Sequence, residues 1–204
     1  MGVVTKGGCQ VAKPVSQRGF ARDRVIEAAL HLFAERGVNG TSLQMIADHL
    51  GVRKAAIYYQ FHTKDDIVLA VVRPVFDDME RLVRIAESIS SAESRRDAAI
   101  SGFVELAVRH RRIGSMFYGD PAVLALVQSH REFEAVTDSL RELLIGTTHD
   151  AETRVTIGMI TSGIFGSTAE PHLQDIADQD LHRILLDCAQ RMLQSSRPAA
   201  EHLS

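Results

Sequence analysis

The chain of 204 residues contains no tryptophan and only three tyrosines and eight phenylalanines, an aromatic fraction of 5%. A site built from stacked aromatic planes is disfavoured by that scarcity. Cysteine is rarer still. Cys9 and Cys188 stand at opposite ends without a CxxC partner, which argues against a disulfide framework or a cysteine-rich zinc site. Long apolar runs are missing as well: the longest, around 67–72 and 157–164, fall far short of the roughly 20 residues that a bilayer span requires. No apolar stretch lies between Lys6 and Lys13 to serve as a signal-peptide core, so the expected location is the cytoplasm. Metal and phosphate motifs are lacking too. There is no HExxH, His130 and Glu134 make at most half a metal site, and Gly7-Gly8 is not followed by Lys-Ser/Thr. The expectation is therefore no catalytic residue, no metal and no cofactor, with an enzyme as the weakest reading.

What is present is an ordinary globular composition, 45% hydrophobic and 24% charged. Taken alone, the net charge of −3 argues against a nucleic-acid partner, but its distribution reverses that inference. Residues 1–64 hold 9 Lys/Arg against 4 Asp/Glu, or +5, whereas the remainder holds 14 against 22, or −8. A basic head on an acidic body suits a DNA-binding unit joined to one that does not bind DNA. Chance asymmetry is the alternative, so a motif has to carry the argument.

Residues 1–21 mix Gly, Lys and Pro without period and read as a flexible basic arm. From Arg22, apolar residues at Val25, Ile26, Ala29, Leu30 and Phe33 follow helical spacing until Gly37, a left-handed C-terminal cap. Thr41 or Ser42 can cap a second helix through Leu43, Ile46, Ala47 and Leu50, which Gly51 ends. A third runs from about Arg53 to Phe61. A fourth begins near Thr63, with Asp65 and Asp66 in its first turn, and Pro74 is expected to kink or break it. Further helices fall near 94–111, 121–146, 151–169 and 178–195, separated by Gly114, Asp120-Pro121, Gly146 and Pro171, and residues 196–204 form a frayed tail. The class is all-α: a three-helix head over 22–67 and a helical body over 68–195.

The stretch from Gly40 to Ile67 carries the function. Two short helices joined by a tight turn cross steeply only when a small residue faces the partner, the turn tolerates positive φ, and the second helix returns an apolar side chain to the core. Ala47, Gly51 and Ile57 supply those roles in order. An ordinary pair of packed helices would do the same, so surface chemistry must decide. With Ile57 and Phe61 turned inward, the opposite face of the third helix offers Arg53, Lys54, Ala55, Tyr58, Tyr59 and Gln60. Arg and Lys can donate to guanine, Gln can pair with adenine, Ala can touch a thymine methyl, and Tyr can reach phosphate.

Gly37, Thr41-Ser42, Ile46-Ala47, Gly51-Val52, the run Ile57-Tyr58-Tyr59-Gln60-Phe61 and the run Lys64-Asp65-Asp66-Ile67 resemble the signature of TetR regulators over residues 22–70. One departure is Gln60, where that family usually has His; it bears on operator preference. The resemblance implies a helix-turn-helix repressor binding double-stranded operator DNA as a homodimer. It implies phosphate contacts from Thr41, Ser42, Tyr58 and Lys64, and base contacts from Gln44, Arg53, Lys54, Ala55 and Gln60. The arm, with Lys6, Lys13, Arg18 and Arg22, can follow the DNA backbone, enter a minor groove, or be a solubilising tail.

The body is expected to sense a small, largely apolar effector and to dimerise. Pocket candidates are apolar residues with isolated polar neighbours: Phe103, Leu106, His110, Met116 and Phe117, together with Tyr118, Leu124, Val127 and Phe133. Stripes on the last two helices, Val155, Ile160 and Ile164 on one and Leu181, Ile184, Leu185, Cys188 and Met192 on the other, form either a dimer interface or an internal core. Glycines 158, 163 and 166 in the same region cost helix stability unless a close backbone approach offsets it. A ligand-independent architectural DNA binder and an activator remain open alternatives.

Overall fold

A computed structural model describes residues 17–146 and 150–195 and, within them, all side chains but those of 17–20, 115, 117–119 and 195. The first sixteen residues, with Cys9, and the tail 196–204 lie outside the described residues. Among the described residues the chain is helical throughout, with helices α1 (Gln17–Arg36), α2 (Leu43–Leu50), α3 (Lys54–Gln60), α4 (Lys64–Glu87), α5 (Ala92–Arg109), α6 (Arg111–Gly119), α7 (Pro121–Gln128), α8 (Arg131–Ile145), α9 (Ala151–Ala169) and α10 (Asp178–Ser195).

Local chemistry sets the boundaries of the head. Gly37, at φ 72°, closes α1 with its N–H on the Phe33 carbonyl at 2.9 Å. The Ser42 hydroxyl caps α2 by accepting from the Met45 N–H, and Gly51 ends it at φ 66°. Thr63 opens α4 with a reciprocal capping box: its hydroxyl accepts from the Asp66 N–H at 3.0 Å, and the Asp66 carboxylate accepts from the Thr63 N–H at 2.9 Å. The Thr63 backbone N–H above all, and the Thr63 side chain after it, hold the Asp66 carboxyl below its ordinary pKa. Phe33, Ile46, Ala47, Ile57 and Ile67 fill the core between the helices.

Four expectations are corrected. The arm does not extend to residue 21, because α1 already begins at Gln17. Pro74 does not break α4, which continues through it to Glu87. Its missing N–H leaves the Ala70 carbonyl without its helical donor, but packing against α1, α5 and α8 fixes the rod on both sides of that position. The single helix expected over 121–146 is two. The Ser129 hydroxyl and the His130 ring both converge on the Leu126 carbonyl, at 2.6 and 2.9 Å, and close α7 where neither Gly nor Pro marks a stop. Gly114, expected as a separator, instead sits inside α6 where that helix abuts α9.

The body wraps around α4, which packs on α5 and α8, while α6 lies across α9 and reaches back to α1. Where α4 and α5 approach, a Cβ at Gly102 would lie 2.2 Å from the end of the Leu82 side chain, which would have to shift. Head and body are joined by α4 and by polar links from α6 and its C-terminal flank. Arg112 pairs with Glu27 at 3.4 Å, and Asn39 donates to the Asp120 carboxylate, also at 3.4 Å.

Candidate nucleic-acid interface and effector cavity

The packing of α2 against α3 fixes which face of α3 is free. Ile57 has no exposed surface and Phe61 is buried, so Arg53, Lys54, Ala55, Tyr58 and Tyr59 project outward together, Tyr58 at 44% and Tyr59 at 68% exposure. Ala56, which the sequence did not single out, shares that surface. The Lys54 ammonium stands 5.5 Å from the centre of the Tyr58 ring, which holds the cation against the helix with no competing carboxylate among the described residues. Two cations, two alanines and two phenols on one exposed face can approach a major groove closely and donate both to base edges and to phosphates. Ser42 and Gln44 are exposed on α2 beside it, with Gln44 donating to Asp48 at 2.7 Å.

The structure withdraws some of the expected contacts. Thr41 is 2% exposed, and its hydroxyl donates inward to the Gly37 and Leu32 carbonyls at 2.8 and 3.2 Å. That side chain ties the turn to α1 and does not face phosphate. Gln60, half-buried at the end of α3, lines a cleft with Arg22, Phe61 and Arg73 rather than standing on the exposed face with Tyr59. Lys64 is half-buried and donates to the Val38 and Thr41 carbonyls at 2.7 and 3.2 Å. Two of its three protons therefore fasten α4 to the turn before α2, leaving one for a phosphate.

In the body, a cavity of about 670 Å³ opens between α4, α5, α8 and α9, lined among others by Met79, Phe103, Leu140, Leu144, Ile157 and Phe165. Of the expected pocket residues whose side chains are described, only Phe103 lines it. Phe133 is core, its ring stacked on Phe76 with centroids 4.2 Å apart and covered by the Arg73 guanidinium at 4.7 Å. Arg73 forks onto Glu132, at 3.0 and 2.5 Å, to join α4 and α8. Leu106, Met116 and Val127 are buried elsewhere, while Leu124 is 46% exposed. His110 is engaged with the Asp78 carboxylate at 3.0 Å. Phe117 and Tyr118 have side chains outside the described residues.

The helical stripes are likewise divided. Ile160, Ile164, Leu181 and Leu185 are buried within the protomer, so they belong to its own core. Val155, Met159 and Ile184 stay 61%, 59% and 40% exposed, Cys188 is exposed, and Met192 is half-buried. A Cβ at Gly158, Gly163 or Gly166 would meet nothing within 4 Å, so the close approach expected there is not made inside the chain.

A short helix that presents a cationic, alanine-containing face from a steep two-helix crossing, followed by an all-helical body with a cavity, defines a helix-turn-helix regulator architecture. Residues 25–71 match the model of the family described as "Bacterial regulatory proteins, tetR family". Among curated proteins the chain is 33% identical over 70 residues to the biofilm operon icaADBC HTH-type negative transcriptional regulator IcaR of Staphylococcus aureus (strain Newman), which covers 34% of this chain and 38% of that one. It is 29% identical over 108 residues to the HTH-type transcriptional repressor KstR2 of Mycolicibacterium smegmatis, covering 52% of each. The matches thus span about half or less of those relatives. Among solved structures, the ketosteroid transcriptional regulator KstR2 of Mycobacterium tuberculosis superposes with a TM-score of 0.67 at 20% identity, covering 91% of this chain and 98% of that one. FadR from Bacillus subtilis in complex with stearoyl-CoA gives 0.59 at 16%, covering 88% and 99%. Identities this low show a shared fold. Among the described residues, no helix is long and apolar enough to cross a membrane.

Proposed function

We propose that the chain is a transcription repressor that grips a near-palindromic operator as a homodimer and lets go when a small, largely apolar effector enters the α4–α5–α8–α9 cavity. The observation that carries the DNA reading is the exposed face of α3, where Arg53, Lys54, Ala55, Tyr58 and Tyr59 stand free while Ile57 anchors the helix from behind. Ser42 and the remaining proton of Lys64 add phosphate contacts on either side, and Gln44 and Gln60 lie at the margins. The relatives' own descriptions, a negative regulator and a repressor, support the polarity. FadR was solved with stearoyl-CoA, which supports an effector in the body.

The dimer reading rests on α9 and α10. Met159, Ile184 and Cys188 form their exposed apolar part away from the cavity, and the open surface over Gly163 and Gly166 lets a partner backbone approach, offsetting the roughly 1 kcal/mol that each glycine costs a helix. Two heads so joined would meet successive major-groove faces roughly 34–36 Å apart or a small multiple of a turn. The test is to sequence the DNA that the purified protein retains from a genomic library and to footprint it. A two-fold site whose half-sites are spaced by a whole number of turns is expected. Retention of random DNA without a footprint would refute the operator-binding function.

A further inference from the structure

We infer that the cavity takes an amphipathic carboxylate, a molecule with an apolar body seated inside and one anionic head held at the mouth by Arg154 and Arg141. This rests on the effector-sensing reading above and adds its chemistry. Polarity is graded from floor to mouth. The deep wall consists of Met79, Phe103, Leu140, Leu144 and Ile157, all buried. Phe165 closes it with its ring edge-on to Phe103, centroids 5.0 Å apart. The outer wall is different: Arg141, Arg154, Gly158 and Ser162 are exposed. Among the described residues, no Asp or Glu lines the cavity. A neutral apolar molecule would use the floor and leave the Arg154 guanidinium idle, and a cation would be repelled. An anion with an apolar body uses both ends of the gradient.

The two arginines are not equivalent. Arg141 already pairs with Asp138 three residues back on α8. Arg154 has no side-chain hydrogen bond or ion pair among the described residues, so its planar fork of donors is free to clasp a carboxylate at two points. Ser162, two turns further along the same face of α9, adds a hydroxyl beside it. The volume of about 670 Å³ lies within the roughly 300–1,000 Å³ of small-molecule sites.

Calorimetric titration of the full-length protein with decanoate, decan-1-ol and decyltrimethylammonium, each below its aggregation concentration, separates head from tail. The three share one apolar chain and differ in charge. Decanoate is expected to bind about tenfold tighter than the alcohol, as charge-assisted pairing with a partly exposed arginine allows, and the cation to bind weakest. Arg154→Gln should bring decanoate down to the level of the alcohol and leave the alcohol unchanged, while Arg154→Lys should keep part of the preference. Added salt should shrink it. Equal binding of decanoate and decanol to the wild type, or an Arg154→Gln protein that loses both equally, overturns the anionic head while leaving an apolar effector site in place. Saturable binding of none of the three overturns the cavity as a sensing site, and with it the effector part of the proposed function.

Discussion

Lys64 and Lys54 make opposite demands on the same experiment. The Lys64 ammonium donates to two backbone carbonyls, Val38 at 2.7 Å and Thr41 at 3.2 Å, across the junction of α4 with the turn before α2. Hydrogen bonds from charged donors contribute about 1.5–3 kcal/mol when buried. This group is only half-buried, and water can replace it on carbonyls near the surface, so Lys64→Ala should cost about 1–2 kcal/mol before any DNA is present. For a chain of this size that is a fall of roughly 2–8 °C in melting temperature, read by scanning calorimetry at fixed protein concentration. Lys54 is exposed and leans only on the Tyr58 ring, so Lys54→Ala should stay within about 0.5 kcal/mol of the wild type. On DNA the order reverses. Lys54→Ala should lose about 1–3 kcal/mol mainly on the cognate operator, whereas Lys64→Ala weakens all DNA about equally and lowers the salt slope by about one unit. An unchanged melting temperature for Lys64→Ala would show that its ammonium is not pinned to the turn. Equal losses on operator and random DNA for Lys54→Ala would show that α3 is not the reading helix.

Gly51→Ala should destabilise by about 1–2 kcal/mol through backbone strain alone, since φ is 66° and the new Cβ would meet nothing within 4 Å; a urea midpoint equal to wild type would contradict it. Burial raises the pKa of Asp78, but its hydrogen bond to His110 and the charges of His110, Arg81 and Arg109 outweigh that and hold it below the ordinary value. A carboxyl lowered in this way stabilises the fold above its unfolded pKa of about 3.9 and loses that contribution as pH falls through the folded value. Asp78→Asn should therefore flatten the acid limb of a melting-temperature profile, and an identical limb would refute the assignment. Met159→Glu and Ile184→Glu should convert a dimer to monomer by light scattering while leaving the helical content intact; unchanged mass would place the interface elsewhere.

Much of the head is legible because its constraints are local. Gly37 and Gly51 announce left-handed caps, Ser42 and Thr63 announce N-caps, and the offsets of Ala47, Gly51 and Ile57 define a crossing before any coordinate is known. The body resists for two reasons. Helix breaks there are made by side chains that are ordinary helix residues: Ser129 and His130 stop α7 through a single carbonyl, which composition does not reveal. Each helix also carries more than one apolar stripe. On α9 the residues Ile160 and Ile164 are core, whereas Arg154, Ile157, Gly158, Thr161 and Phe165 line the cavity and Met159 faces out. Thr137, Leu140, Arg141 and Leu144 make a second cavity stripe on α8, so the signal was a pair of matching periods on helices distant in sequence. Thr41 illustrates the limit within the head. A hydroxyl at a helix start suits capping, phosphate contact or an inward bond equally well, and only tertiary placement assigns it inward.

The continuity of α4 decides how an effector would act. The helix begins at Lys64 on the turn carbonyls, packs Ile67 and Val68 into the buried core, passes Pro74 without a break, and places Met79 in the cavity wall. Fifteen residues separate Lys64 from Met79, about 22 Å of helix at 1.5 Å per residue. A ligand that moves Met79 must therefore move the point where the head is fastened, unless the links from Asn39 to Asp120 and from Glu27 to Arg112 hold the head in place. Both links are 3.4 Å long, weak enough to yield without holding the head back. Release requires the effector to prefer the head spacing that does not fit DNA, and a 100-fold release corresponds to about 2.7 kcal/mol of coupling. Coupling is reciprocal, so saturating operator must weaken effector binding by the same factor. Calorimetry that finds effector affinity unchanged on the operator complex would refute the lever, even with DNA binding and cavity binding each established alone.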